Sequence, residues 1–267
     1  MSMLSAGGLA PARGWRRLFF PSNSSPLISM TVADSSPGHA TAAAALDQRF
    51  MAEALTLART LPAPTWPNPP VGAVVVKDGR IVGRGRHLGS GRPHAEIGAL
   101  QEAGERARGA TLYVTLEPCN HQGRTPACAP RVAAAGIARV VGAMRDPNPT
   151  VTGGGFARLR GQGLQVDCGV LAAEALELVW PFVATENFAR PYVELKTATS
   201  SDGFFAPEDR VRSQVGPCYL TGEAALTDVH RRRRWVDLVL VGEGTARADR
   251  PRLDGRRVQG RTDLPQA

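Results

Sequence analysis

Two short stretches, which only a folded chain can bring together, constrain this sequence more than anything else in it. One is Pro93-His94-Ala95-Glu96. The other runs from Glu117-Pro118-Cys119 through Asn120-His121-Gln122-Gly123-Arg124-Thr125-Pro126-Ala127 to Cys128. One imidazole and two thiolates suit a zinc ion, and a catalytic zinc takes three protein ligands and keeps a fourth position for water. His94, Cys119 and Cys128 are therefore the candidate ligands. Glu96, two residues after His94, can reach such a water without binding the metal. Zinc lowers the pKa of bound water, and a carboxylate beside it can shuttle protons. Any fold that satisfies this pattern must bring a helix start to the end of a strand. The insert Asn120–Ala127 must then loop back to return Cys128 to the same point.

The layout follows the signature of zinc base deaminases, H-x-E followed by P-C-x-x-C, with one departure. The second cysteine comes nine positions after the first, because position 122 is Gln. Pro126 and Pro130 bracket Cys128, and proline is tolerated near a helix start. Cys128 is therefore expected in the first turn of a helix through Arg131–Ala135 closed by Gly136, where a helix start favours the thiolate. Cys168 and Cys218 lack nearby ligand partners and read as core or incidental thiols. Four cysteines in 267 residues do not suggest a disulfide scaffold.

Hydrophobic periodicity arranges the rest around these ligands. Phe50, Met51, Ala54, Leu55, Leu57 and Ala58 predict an amphipathic helix over Asp47–Thr60. After the Pro-rich loop Leu61–Pro70, the β-branched run Val71–Lys77, the turn Asp78-Gly79 and the return strand Arg80–Gly85 predict a hairpin. A helix His94–Ala107, strands Thr111–Leu116, Ala138–Ala143 and Leu164–Cys168, and a helix Phe156–Arg160 follow. Alternating helices and short β runs predict a layered α/β domain with a mixed sheet. A second unit begins near Pro191, with expected strands Tyr192–Thr197 and Val236–Val241, a helix Glu223–Arg234 and a turn Gly242–Thr245. Gly-, Ala-, Ser- and Pro-rich residues 1–45 read as disordered. They are either an organellar transit peptide or, as preferred here, an over-extended start with Met30 as the real beginning.

Composition narrows the function classes. No run of 18 apolar residues exists, so no membrane span is expected. The net charge of +8 permits anionic ligands without naming nucleic acid. Arg231–Arg234 reads as a solvated helix face. A polynucleotide deaminase should carry base-stacking aromatics beside a basic groove, and aromatics are only 6% here.

Together with Asn68-Pro69-Pro70-Val71-Gly72-Ala73-Val74-Val75-Val76 and Arg145-Asp146-Pro147-Asn148-Pro149, the two opening stretches closely resemble the riboflavin-biosynthesis bifunctional deaminase/reductase family. The resemblance runs from about residue 46 to about 257. It implies a cytidine-deaminase-like three-layer α/β/α zinc domain over 46–189, followed over 190–267 by an incomplete dihydrofolate-reductase-like α/β segment. Implied substrate contacts are Asn68, His87, His121, Arg124, Asp146 and Asn148, with Arg124 suited to a phosphate. Lys196, Ala198, Asp202, Thr245 and Asp249 fall on reductase positions, the last two with Ala198 as NADPH contacts. Gly216-Pro217-Cys218-Tyr219 departs from the family's Ser-x-Trp pattern, and full reductase activity is not expected of this segment. The implied reaction is zinc-dependent deamination of 2,5-diamino-6-ribosylamino-4(3H)-pyrimidinone 5′-phosphate by a cytoplasmic enzyme, which could be a homo-oligomer. Alternatives are a nucleoside or nucleic-acid base deaminase, and a catalytically inactive partner subunit.

Overall fold

Asp78 and Gly79 both have positive φ, 48° and 71°, which a two-residue hairpin turn requires. They fold strand β1 (Gly72–Lys77) back onto β2 (Arg80–Arg86) in antiparallel register. The computed structural model describes residues 42–61, 65–123, 125–148, 151, 154–205 and 219–258. Strands β3 (Thr111–Val114), β4 (Arg139–Gly142) and β5 (Gln165–Cys168) complete a five-stranded sheet of order β2-β1-β3-β4-β5. β3 is antiparallel to β1, whereas β3–β4 and β4–β5 are parallel, so the sheet is mixed.

Alternation along the strands sorts the core into two layers, because successive side chains leave opposite faces. Ala73, Val75, Leu112, Val114 and Val140 face one side. There they pack with Ala95, Ala99 and Ala103 of α2 (Ala95–Ala103), Ala129 and Val132 of α3 (Cys128–Ala134), and Phe156 and Leu159 of α4 (Gly154–Gly161). Val74, Val76, Tyr113 and Val141 face the other side, against α1 (Ala42–Arg59) and α5 (Ala172–Phe188). The result is a three-layer α/β/α domain.

Several expectations need correction. The helix after His94 does not run unbroken to Ala107: Gly104, at φ 55°, ends α2 and a 3-10 turn takes over Gly104–Ala107. Helix α5 has no counterpart among the elements expected from the sequence, although Ala175, Val179 and Val183 repeat at four-residue spacing and are all buried. Cys168 is exposed, hence incidental rather than core; Cys218 lies outside the described residues. In the C-terminal part the described elements are the helices α6 (Glu223–Arg233) and α7 (Glu243–Asp249). Tyr192–Thr197 and Val236–Val241 are irregular rather than strands. β propensity becomes a strand only when another strand completes its hydrogen-bond ladder, and none does so among the described residues. The expected turn Gly242–Thr245 is instead the cap and first turn of α7.

Among the described residues, contacts separate 193–205 and 219–222 from the unit formed by 42–192 with 223–258. Val193, Leu195, Phe204, Phe205 and Tyr219 of the smaller unit are exposed. Among the described residues no helix is long and apolar enough to cross a membrane.

Candidate active site

Helix α2 approaches the sheet at contact distance because Gly85 has no side chain; a Cβ there would stand 1.8 Å from the Ala95 carbonyl oxygen. That approach fixes the helix start, where His94 is the N-cap in extended conformation. Its backbone carbonyl accepts the Ile97 and Gly98 N–H groups at 3.1 and 3.2 Å. Its side chain makes no capping bond and turns towards the two sulfurs. Nδ1 lies 3.5 Å from Cys119 Sγ and 3.2 Å from Cys128 Sγ, and Nε2 lies 3.3 Å from Thr125 Oγ1.

The two cysteines meet because the loop after β3 closes on itself. The Cys119 carbonyl accepts N–H groups of both Cys128 and Ala129, at 3.1 and 3.0 Å, and so fastens the first turn of α3. The Cys128 N–H also points at Cys119 Sγ, at 3.3 Å. The candidate ligand atoms of His94, Cys119 and Cys128 all lie within 4.8 Å of one another. One nitrogen and two sulfurs at this spacing fit zinc, whose sites use such donors.

Electrostatics in the cluster follow from crowding donors into a dry place. The Cys119 sulfur accepts a hydrogen bond from Cys128 and is stabilised by His94; together these pull its pKa well down against the opposing effect of burial. Cys128, hydrogen-bonded to that thiolate and buried, is pushed up. His94 is raised, first by its hydrogen bond with Cys119. Glu96 is 3% exposed, and burial pushes its carboxyl up to about 7, a value suited to giving and taking protons near neutrality.

Above the cluster opens a cavity of about 690 Å³. Its walls include Asn68, His87, His121, Asp146 and Asn148 as well as Glu96, His94 and Cys119, so the structure gathers the expected deaminase-site residues from separate elements. Arg124 lies outside the described residues. Lys196, Ala198 and Asp202 lie in the irregular stretch of the smaller unit, and Thr245 and Asp249 on α7; none of them lines this cavity.

Glu117, Phe182 and Glu186 also belong to the cavity and were not singled out from sequence. Glu117 is 4% exposed. Its Oε1 accepts the Phe156 N–H at 2.9 Å and its Oε2 the Asp146 N–H at 3.2 Å, so one carboxylate holds both the start of α4 and the Asp146 loop. Asp146 in turn accepts the Asn148 N–H at 2.9 Å, and Asn148 Nδ2 donates to Glu186 at 3.1 Å. Phe182 and Glu186 both lie on α5, the helix without a counterpart in the sequence expectations. The apolar four-residue repeat from Ala175 was the available signal.

Residues 44–144 match the family model for the cytidine and deoxycytidylate deaminase zinc-binding region, and residues 191–266 match the RibD C-terminal domain. Curated proteins named riboflavin biosynthesis protein RibD from Aquifex aeolicus and Escherichia coli are each 46% identical to the chain. The matches cover 80% and 79% of this chain but 58% and 56% of those relatives. A solved diaminohydroxyphosphoribosylaminopyrimidine deaminase/5-amino-6-(5-phosphoribosylamino)uracil reductase from Thermotoga maritima is 40% identical with a TM-score of 0.72. That match covers 82% of this chain and 62% of that one. Acinetobacter baumannii RibD, form 1, is 41% identical with a TM-score of 0.69, covering 82% and 60%. The chain thus spans little more than half the length of the curated relatives it matches.

Proposed function

Because this chain belongs to the RibD family, we propose that it hydrolytically deaminates 2,5-diamino-6-ribosylamino-4(3H)-pyrimidinone 5′-phosphate, with residues 46–189 as the deaminase unit and 190–267 as the second. The observation that carries the proposal is the buried Glu96 carboxyl beside three converging zinc-type donors, in a cavity also lined by the amides of Asn68 and Asn148 and the Asp146 carboxylate.

His94 Nδ1, Cys119 Sγ and Cys128 Sγ would hold the zinc. When bound, zinc supplies an acidified water and stabilises developing negative charge. Glu96 takes a proton from the attacking water and delivers it to the ring nitrogen beside the amine-bearing carbon. It then carries the second proton to the leaving amine, so that ammonia departs and a ring carbonyl remains. Burial suits it to both directions of transfer, since it neither holds nor releases its proton too strongly near pH 7. Asp146, Asn148 and Asn68 bind the ring edge, and His121 with Arg124 binds the phosphate. For the second segment, family membership proposes NADPH contacts at Ala198, Thr245 and Asp249. Here the first lies in an irregular stretch and the others on a short helix, and we assign no reduction step to them.

The test is ammonia release by the zinc-loaded chain given this ribotide, with NADPH absorbance followed in the same cuvette. Ammonia without NADPH oxidation is expected. In Glu96→Gln, kcat should fall by roughly 10³-fold with zinc content unchanged, within the usual range for losing a general acid–base group. Ammonia release undiminished in that variant rejects Glu96 as the proton carrier. Zinc bound but no ammonia from the wild type rejects the substrate.

A further inference from the structure

We infer that His87 is a positioning residue rather than a substrate ligand: by accepting an N–H of the Asn68 amide, it leaves Asn68 Oδ1 as the acceptor offered to the cavity, where it selects a ring edge presenting an N–H. This rests on the deaminase reading above and adds to it how one wall of the cavity acquires its hydrogen-bonding polarity.

His87 follows β2 and is 3% exposed. Both ring nitrogens are used by the protein. Nδ1 lies 3.3 Å from the Pro93 carbonyl oxygen and Nε2 lies 2.9 Å from Asn68 Nδ2. A carbonyl oxygen can only accept, so the hydrogen must sit on Nδ1. A neutral imidazole then presents a lone pair at Nε2. Only the NH2 end of the Asn68 amide can meet that lone pair; the reversed amide would set two acceptors against each other. The polarity of Asn68 is thus dictated by a backbone carbonyl next to His94, relayed through one tautomer.

The Asn68 backbone cannot easily turn to escape this constraint. Its N–H donates to the Thr65 carbonyl at 3.0 Å, and its own carbonyl accepts from Thr65 Oγ1 at 2.8 Å. Asn68 Oδ1 has no protein partner among the described residues, and the side chain lines the same cavity as Glu96 and Asp146. An acceptor there pairs with an amino or ring N–H and opposes a carbonyl or a bare ring nitrogen. Leaving a buried polar group unpaired is what makes such discrimination effective.

The test reads the tautomer directly. Long-range ¹H–¹⁵N spectra of the zinc-loaded full chain with labelled histidine, with the His87 signals identified by their loss in His87→Phe, should show Nδ1 protonated and Nε2 bare. Protonation at Nε2, alone or together with Nδ1, overturns the inference. A kinetic arm separates orientation from general damage. His87→Phe keeps a ring but frees the amide, and the loss should fall on KM, about tenfold, as for one hydrogen bond, with zinc content retained. Adding Asn68→Asp, whose two oxygens both accept and need no orienting, should recover KM to within about threefold. A double variant with normal zinc content and unrecovered KM overturns the inference. If the wild type releases no ammonia, the deaminase reading fails on its own, while the spectra still decide the tautomer.

Discussion

Asp146 carries a carboxylate at a place that resists its charge. Burial is the main cause that raises it, to about 6, with the Glu117 carboxylate adding to the rise and the hydrogen bond to the Asn148 N–H and the charge of His121 opposing it. In the proposed complex Asp146 accepts hydrogen bonds from ring N–H groups, which requires the ionised form. kcat/KM is therefore expected to climb as pH rises through about 6. In Asp146→Asn that limb should disappear at a lower plateau, leaving only the limb due to Glu96 near 7. Profiles from pH 5 to 8 on both proteins check this. An unchanged low-pH limb in the variant would sink the assignment. His87 acts differently. Its burial holds it below the ordinary histidine value, so its contribution is a fixed direction of hydrogen bonding rather than charge.

At the scale of elements, the site depends on two close approaches that only glycine permits. Gly85 lets the start of α2 rest on β2. Gly155 lets the start of α4 rest on the loop that carries Cys119: a Cβ at 155 would lie 1.8 Å from the Pro118 carbonyl oxygen and 3.3 Å from Glu117 Cγ. Backbone cannot yield there without moving either the Cys119 loop or the α4 start that Glu117 holds. Gly155→Ala is accordingly expected to cost about 1–3 kcal/mol, typical of overpacking, and to weaken zinc retention as well. Urea unfolding together with metal content after dialysis against a mild chelator measures both. Loss of stability with zinc retention untouched would show that α4 moves and the metal loop does not.

Across the whole domain, a partly buried ionic network ties α1 to β3, β4 and β5. Asp47 of α1 accepts from Tyr113 Oη at 2.7 Å and from both terminal nitrogens of Arg139 at 2.9 and 2.7 Å, while Arg139 Nε donates to Asp167 at 2.7 Å. Burial alone would raise Asp47, but the bonds from Arg139 and Tyr113 and the charge of Arg139 outweigh it, and the net shift is down from 3.8. A carboxylate lowered on folding contributes stability above its unfolded value, and that contribution is lost as pH falls through the folded value. Arg139→Met, which leaves the Asp47 carboxylate without its main donors, should cost about 1–2 kcal/mol near neutrality, since solvent reaches Arg139 and screens part of the charge. The difference from wild type should shrink below pH 4. Denaturation curves at pH 7 and pH 3.5 provide the comparison; an equal difference at both pH values would mean that packing, not charge, holds α1.

Composition and spacing alone determined where the chemistry could be. His94, Glu96, Cys119 and Cys128 stand out because metal donors and a proton carrier are rare residue types in a recognisable order. The strands around them are legible because β-branched runs bounded by turn residues alternate between two buried faces. Tertiary structure decided what depends on distant partners. Tyr192–Thr197 and Val236–Val241 have the composition of strands, but a strand exists only when another chain segment completes its hydrogen bonds. Glu117 stands in the motif, but its role as a double acceptor depends on N–H groups 29 and 39 positions away. Glu186 reaches Asn148 from a helix 38 positions on. The position of His87 implies a substrate contact, whereas the proposed positioning role rests on its contacts with Asn68 and the Pro93 carbonyl, which only the fold brings together. Ligand identity is a property of residue type and can be read along the chain, whereas the direction in which a polar group faces is set by what folds against it.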